Sequence, residues 1–117
     1  MENKLYFLST CDTCKRIMNE LDISYDFFEY HDLKNNPISV SDLEKISKVS
    51  GLSYEELFNK RAQKYKLVKD EIKSEIDFKN AITSEYTFLK RPIVKIENEY
   101  FVGNSKSVVE LAKKKLM

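Results

Sequence analysis

Lys4-Leu-Tyr-Phe-Leu-Ser9, continued by Thr10-Cys11-Asp-Thr-Cys14-Lys-Arg16-Ile-Met18-Asn-Glu-Leu21, is the stretch that decides how this chain folds. This opening segment is apolar on both faces and is ended by Ser9-Thr10, the pattern of a strand covered on both sides. From Asp12 to Leu21 the period changes, with Cys14, Ile17, Met18 and Leu21 recurring at helical spacing. Tyr25 to Tyr30 then has aromatic strand character, closed by His31-Asp32. Strand, helix and strand within about 30 residues form a βαβ unit, which implies parallel strands.

Downstream the pattern is helical. Ser41-x-x-Glu44 and Ser53-x-x-Glu56 match capping boxes, and Gly51 between them is a candidate C-terminal cap. The expected helices run from Ile38 to Val49, Tyr54 to Lys60, Lys69 to Lys73 and Asp77 to Ser84. Arg91-Pro92 then leads into Ile93-Val-Lys-Ile96, a three-residue loop Glu97-Asn98-Glu99, and Tyr100-Phe-Val102. These segments predict an antiparallel hairpin. Gly103-Asn104 breaks it, and Ser105 to Leu116 reads as a closing helix. The order βαβ, helical block, hairpin, helix is that of an α/β thioredoxin-like fold with a mixed four-stranded sheet. The expectation is one domain over residues 1–117 with a helical insertion at about 38–85, since 117 residues suffice for one core and not two. Pro92 stands where thioredoxin-like folds carry a cis-proline beside the active cysteine.

Composition narrows the function classes. Hydrophobic residues make up 42% and charged residues 33%, ordinary values for a globular protein. No apolar run approaches the roughly 20 residues of a membrane span, and the Met1–Lys4 start lacks a signal-peptide core. A cytoplasmic protein with no membrane partner is expected. The net charge of +1 gives no field for direct nucleic-acid binding. Of 20 basic residues only Arg16, Arg61 and Arg91 are arginine, which suggests a need for the planar guanidinium there. Lys113–Lys115 and His31 read as a solvated helix end and a structural or exposed side chain.

Cys11-Asp-Thr-Cys14 is a CxxC pair that follows a strand and opens a helix. A thiolate there is favoured by unpaired backbone N–H groups and by the positive end of the helix dipole. Lys15 and Arg16 add positive charge and Asp12 opposes it. Cys11 is expected to be the exposed attacking thiol, and Cys14, on the apolar stripe, the buried resolving thiol. Inert core cysteines are the plainer alternative. A zinc half-site is another, though only His31 remains as a further strong ligand, and no metal or cofactor is expected.

Four motifs carry a family resemblance over nearly the entire chain. They are Ser9-Thr-Cys11-Asp-Thr-Cys14-Lys-Arg16, Gly51-Leu-Ser-Tyr-Glu-Glu-Leu-Phe-Asn59-Lys-Arg61, Lys90-Arg91-Pro92-Ile-Val, and Tyr100-Phe-Val-Gly103. In this order they resemble the arsenate reductase/Spx family, which has a thioredoxin-like core with a helical insertion. The resemblance implies a thiol-based oxidoreductase acting on a disulfide or oxyanion, with Cys11 as nucleophile and Arg91 as the oxyanion-binding arginine before the proline. Arg61 lies where glutaredoxin-dependent arsenate reductases carry an arginine, although aligning Gly51 and Tyr65 puts Asn59 at that position. Arg16 and Pro92 complete the candidate anion and substrate site. Where those reductases have a further arginine after the last strand, this chain has Gly103-Asn104. Cys14 is the Spx-like feature. It implies the alternative of a redox-sensing regulator that binds the C-terminal domain of the RNA polymerase α subunit. The partners implied are a thiol reductant, glutaredoxin/glutathione or thioredoxin, or that polymerase subunit, with the protein itself a monomer.

Overall fold

Leu5, completely buried, sits in the strand around which the sheet is assembled. A computed structural model describes residues 3–23 and 27–117. Its elements in order are β1 (Lys4–Phe7), α1 (Asp12–Glu20), β2 (Glu29–Asp32), α2 (Val40–Ser50), α3 (Tyr54–Leu57), α4 (Tyr65–Val68), α5 (Glu75–Ser84), β3 (Ile93–Ile96), β4 (Glu99–Val102) and α6 (Lys106–Leu116). Two short 3-10 turns, Lys69–Glu71 and Tyr86–Phe88, complete the set. No helix among the described residues is long and apolar enough to cross a membrane.

Two compact units divide the chain. The first comprises the described residues up to Asn36 together with Arg91–Met117. Its sheet has the order β2-β1-β3-β4, with β1 parallel to β2 and antiparallel to β3, and β3 antiparallel to β4. This is the mixed four-stranded sheet of a thioredoxin-like fold. Leu5, Val94 and Ile96 of the sheet pack with Ile17 and Leu21 of the α1 region and Val109 and Ala112 of α6. The stripe Cys14, Ile17, Leu21 is thus buried as its period requires.

The second unit, Pro37–Lys90, is built around Phe58. The Phe58 ring lies 5.1, 5.2 and 4.9 Å from those of Tyr65, Phe78 and Phe88. Glu75 at the start of α5 accepts the Tyr54 and Glu55 amides at 2.8 and 3.1 Å, satisfying the open N-terminus of α3.

Several sequence expectations need correction. The cap of α2 is Ser39, whose extended backbone lets its hydroxyl accept the Asp42 amide at 3.0 Å, so Ser41 lies inside the helix. Gly51 ends α2 as expected, at φ 76. The Ser53–Glu56 capping box is present, but α3 stops at Leu57 rather than Lys60. Backbone pairing wins over helix propensity there: Phe58 bridges Leu89, and the Asn59 amide donates to the Phe88 carbonyl at 2.7 Å. The helix expected over Lys69–Lys73 forms earlier, as α4, and only Lys69–Glu71 follow as a 3-10 turn. The hairpin loop has two residues, Glu97 and Asn98, because Glu99 pairs with Ile96. Of the expected aromatic strand, Phe28 is buried, Phe27 is exposed and precedes β2, and Tyr25 lies outside the described residues.

The cap assignment is testable by urea unfolding. Ser39→Ala is expected to cost about 1 kcal/mol of stability, the usual loss for an N-cap serine. Ser41→Ala, on the helix surface, should stay within about 0.5 kcal/mol of the parent. Equal losses would show that the cap is misassigned.

Candidate active site

Directly after β1 the chain makes a tight turn, in which the Cys11 amide donates to the Leu8 carbonyl at 2.9 Å with Ser9 and Thr10 at the tip. Cys11 is then the N-cap of α1, with extended backbone at φ −99 and ψ 113. Its Sγ accepts the Cys14 amide at 3.4 Å, the bond that a serine or aspartate side chain usually accepts at a helix start. A thiolate is the better acceptor for that N–H, so the cap favours ionisation. Both cysteines are free thiols, Cys11 half-buried and Cys14 fully buried.

Strand order brings the remaining parts to the same edge. β2 runs parallel to β1, so its last residue, Asp32, lies beside Phe7 at the end of β1. β3 runs antiparallel, so its first residue, Ile93, pairs with Tyr6. Arg91-Pro92, just ahead of β3, therefore arrives next to the cysteine turn, and the peptide bond between them is cis. Pro92 is buried, and its carbonyl accepts the Gly103 amide at 2.9 Å. Gly103 has φ +93, a conformation that side chains rarely adopt, and offers no side chain to this edge.

The two thiols have opposite electrostatics. Burial pushes the Cys11 thiol up, but the Cys14 amide, the Cys14 thiol and the Arg91 guanidinium together hold it below the ordinary range. For Cys14, burial dominates and the neighbouring Cys11 adds to it, so the thiol is pushed up to about 12. The Leu8 backbone and the charge of Arg91 offset only part of this. Arg16 is exposed on α1, and the main influences on Cys11 come from Cys14 and Arg91 instead. Arg61 belongs to the second unit, exposed in the turn after α3, with its amide on Asn59 Oδ1 at 3.2 Å. His31 Nε2 lies 2.6 Å from the Asn36 carbonyl, and its ring packs on Tyr6, a structural placement. Among the described residues no group of three or more His, Cys, Asp or Glu side chains could hold a metal ion.

One residue at this edge was not singled out from the sequence. Asp32 Oδ1 accepts the Ser9 amide at 3.2 Å, across from the strand that carries the cysteine turn. The run Asp32-Leu-Lys-Asn35 does signal a local turn capped by its own aspartate. Nothing in that run signals the contact to Ser9, 23 positions away.

Two measurements check this geometry. Limiting iodoacetamide near neutral pH should modify Cys11 well before Cys14, read by mass spectrometry of the digested protein. Equal labelling would contradict the division between the thiols. Stability should also depend on Cys14 in alkali. Its folded thiol stays protonated up to about 12 while the unfolded thiol ionises near about 8.5, so between these values the folded state binds the extra proton. Folding stability should therefore fall as pH rises through that window, and Cys14→Ala should flatten the decline. A parallel decline in the variant would argue against the raised thiol.

The sequence profile of the ArsC family matches residues 6–111. No curated protein sequence matches the chain. Solved structures share the architecture at low sequence identity. A protein of Bacteroides fragilis described as ArsC-family-related is 22% identical, with a TM-score of 0.76 over 96% of this chain and 99% of that one. An arsenate reductase (ArsC) related protein from Brucella melitensis is 19% identical, with a TM-score of 0.69 over 95% and 93% of the two chains. SACOL0876 from Staphylococcus aureus is 21% identical, with a TM-score of 0.72 over 93% and 96%. At these identities the structures speak for the fold alone, and the profile match, spanning the cysteine turn, Arg91 and the hairpin, places the chain in the ArsC family.

Proposed function

We propose that this protein is a dithiol oxidoreductase that works by thiol–disulfide exchange, with Cys11 attacking and Cys14 resolving. The observation that carries the reading is the placement of two thiols one helical turn apart, Cys11 Sγ capping α1 on the Cys14 amide and Cys14 fully buried. Cys11 ionises more readily than an ordinary cysteine, and Cys14 is held in reserve as a thiol.

In the first step the Cys11 thiolate attacks one sulfur of a substrate disulfide. A Cys11–substrate bond forms, the substrate S–S bond breaks, and the departing thiolate takes a proton from solvent. Cys11 then no longer carries negative charge, which removes the charge repulsion that, besides burial, pushes the Cys14 thiol up. The charge of Arg91 and the Leu8 backbone still favour ionisation. Cys14 thus loses its proton more readily at the stage when it is needed. Its thiolate attacks Cys11 Sγ, the second substrate thiolate leaves, and the protein holds the two oxidised sulfurs as a Cys11–Cys14 disulfide. An external thiol, glutathione with glutaredoxin or thioredoxin, supplies two electrons to reset it.

The family and the Arg91 guanidinium also support oxyanion binding at this edge, through a bidentate fork together with the amides at the start of α1. Arsenate would be attacked at arsenic by Cys11 with loss of water, and attack of a second thiol on Cys11 Sγ would leave arsenic two electrons richer. Capturing such an anion tightly takes several charge-assisted donors around the nucleophile. Gly103 contributes no side chain, so the reading favours disulfides over arsenate.

Purified protein should therefore reduce a small disulfide in the presence of a reductant while turning arsenate over well below the usual enzyme rate of about 1 per second. Cys11→Ser should abolish the disulfide reaction, and Cys14→Ser should accumulate a mixed disulfide on Cys11, visible by mass spectrometry. Arsenate turnover at or above that rate would make the protein an arsenate reductase instead. Inactivity toward both substrates, with redox-dependent binding to the RNA polymerase α subunit, would support a regulator.

A further inference from the structure

Asp32 ends β2 at the same sheet edge as the cysteine turn, and its carboxylate serves two loops at once. Oδ1 accepts the Ser9 amide at 3.2 Å and the Lys34 amide at 3.2 Å, while Oδ2 accepts Asn35 Nδ2 at 3.1 Å. One half of this arrangement is local, folding the Lys34-Asn35 loop back on its own aspartate. The other half reaches across to the turn that presents Cys11. The backbone alongside is already tied by the Leu33 amide on the Phe7 carbonyl at 2.8 Å. Asp32 extends that tie by two residues, past the end of the ladder and into the turn itself. The carboxylate lies below the ordinary range: partial burial opposes this, but the Ser9 hydroxyl and amide and the Lys34 amide outweigh it.

The turn is also tied within itself, by the Cys11 amide on the Leu8 carbonyl. Ser9 and Thr10 between them set the direction from which Cys11 enters α1, and so whether its Sγ meets the Cys14 amide. We propose that Asp32 is a positioning residue for the attacking thiol: by holding the Ser9 amide it fixes the turn in which Cys11 Sγ caps α1. The proposal rests on Cys11 being the attacking thiol, and it assigns Asp32 no contact with substrate.

Its consequence has a sign opposite to that of plain electrostatics. Removing a carboxylate near a thiolate relieves repulsion and by itself lowers the thiol pKa. Loss of the positioning contact loosens the cap and raises it. The experiment follows alkylation of Cys11 by iodoacetamide as a function of pH, read by mass spectrometry, in the full chain and in Asp32→Ala and Asp32→Asn. Amide NMR spectra check that each variant is folded. Asp32→Ala is expected to raise the Cys11 midpoint by about half a pH unit or more, cutting thiolate near neutral pH about threefold. Asp32→Asn keeps an oxygen acceptor without the charge and should leave the midpoint close to that of the parent or below it, restoring what alanine loses. Should the alanine variant fail to fold, Asp32→Ser, whose shorter side chain stops short of the Ser9 amide, decides by the same sign. A folded alanine or serine variant whose midpoint is unchanged or lowered would overturn the proposal, as would an asparagine variant that rises as far as alanine. Preferential alkylation of Cys14 in the unaltered protein would instead remove the reading of Cys11 itself, and the proposal with it. That result is distinct from normal Cys11 reactivity that the Asp32 variants leave untouched.

Discussion

The hydrogen bond from the Cys14 amide to Cys11 Sγ joins the fold of this protein to its chemistry. Every helix begins with N–H groups that have no partner within the helix. In α2, α5 and α6 a serine hydroxyl accepts one of them, and in α1 the acceptor is a thiol. A hydroxyl at that position is inert, whereas a thiol gains acidity from the same contact. The residue that starts the helix is thereby also the more acidic of the two thiols.

The same helix explains why the second thiol differs. Cys14 falls three residues into the apolar stripe that Ile17 and Leu21 continue against Leu5 and Val94. Burial of that stripe is the main force holding α1 on the sheet. It takes Cys14 out of water along with its neighbours and penalises its ionised form. No dedicated device is needed to keep Cys14 protonated, because packing does so.

Topology supplies the surroundings. With β1 central in the order β2-β1-β3-β4, the end of a parallel neighbour and the start of an antiparallel one must fall at the same edge as the end of β1. Asp32, Cys11 and Arg91-Pro92, far apart in sequence, meet for that reason. The hairpin then brings Gly103 against Pro92, as the Gly103 amide on the Pro92 carbonyl records. The charges that meet there have separate parts. Arg91 acts on the thiols directly, while Asp32 spends its acceptors on backbone and on Asn35.

Local pattern determined much of this protein. The strand from Lys4, the amphipathic period through Cys14, Ile17 and Leu21, the Ser53 capping box and the Gly51 terminus are short-range features, and each is visible in a window of a dozen residues. The order of those windows was enough to fix the fold class, and the place of CxxC after a strand was enough to single out Cys11 and Cys14. Composition singled out three arginines, and only the family pattern picked Arg91 from among them. Competition between distant segments was not legible. The Phe58–Leu89 bridge ends α3 early, the pairing of Ile96 with Glu99 shortens the hairpin loop, and Ser39 outcompetes Ser41 as a cap because of the backbone it inherits from the preceding loop. The contact between Asp32 and Ser9 belongs to the same class. A carboxylate at a strand end can cap its own turn wherever it stands, and only the register of β1 against β2 decides that it also holds the turn bearing Cys11.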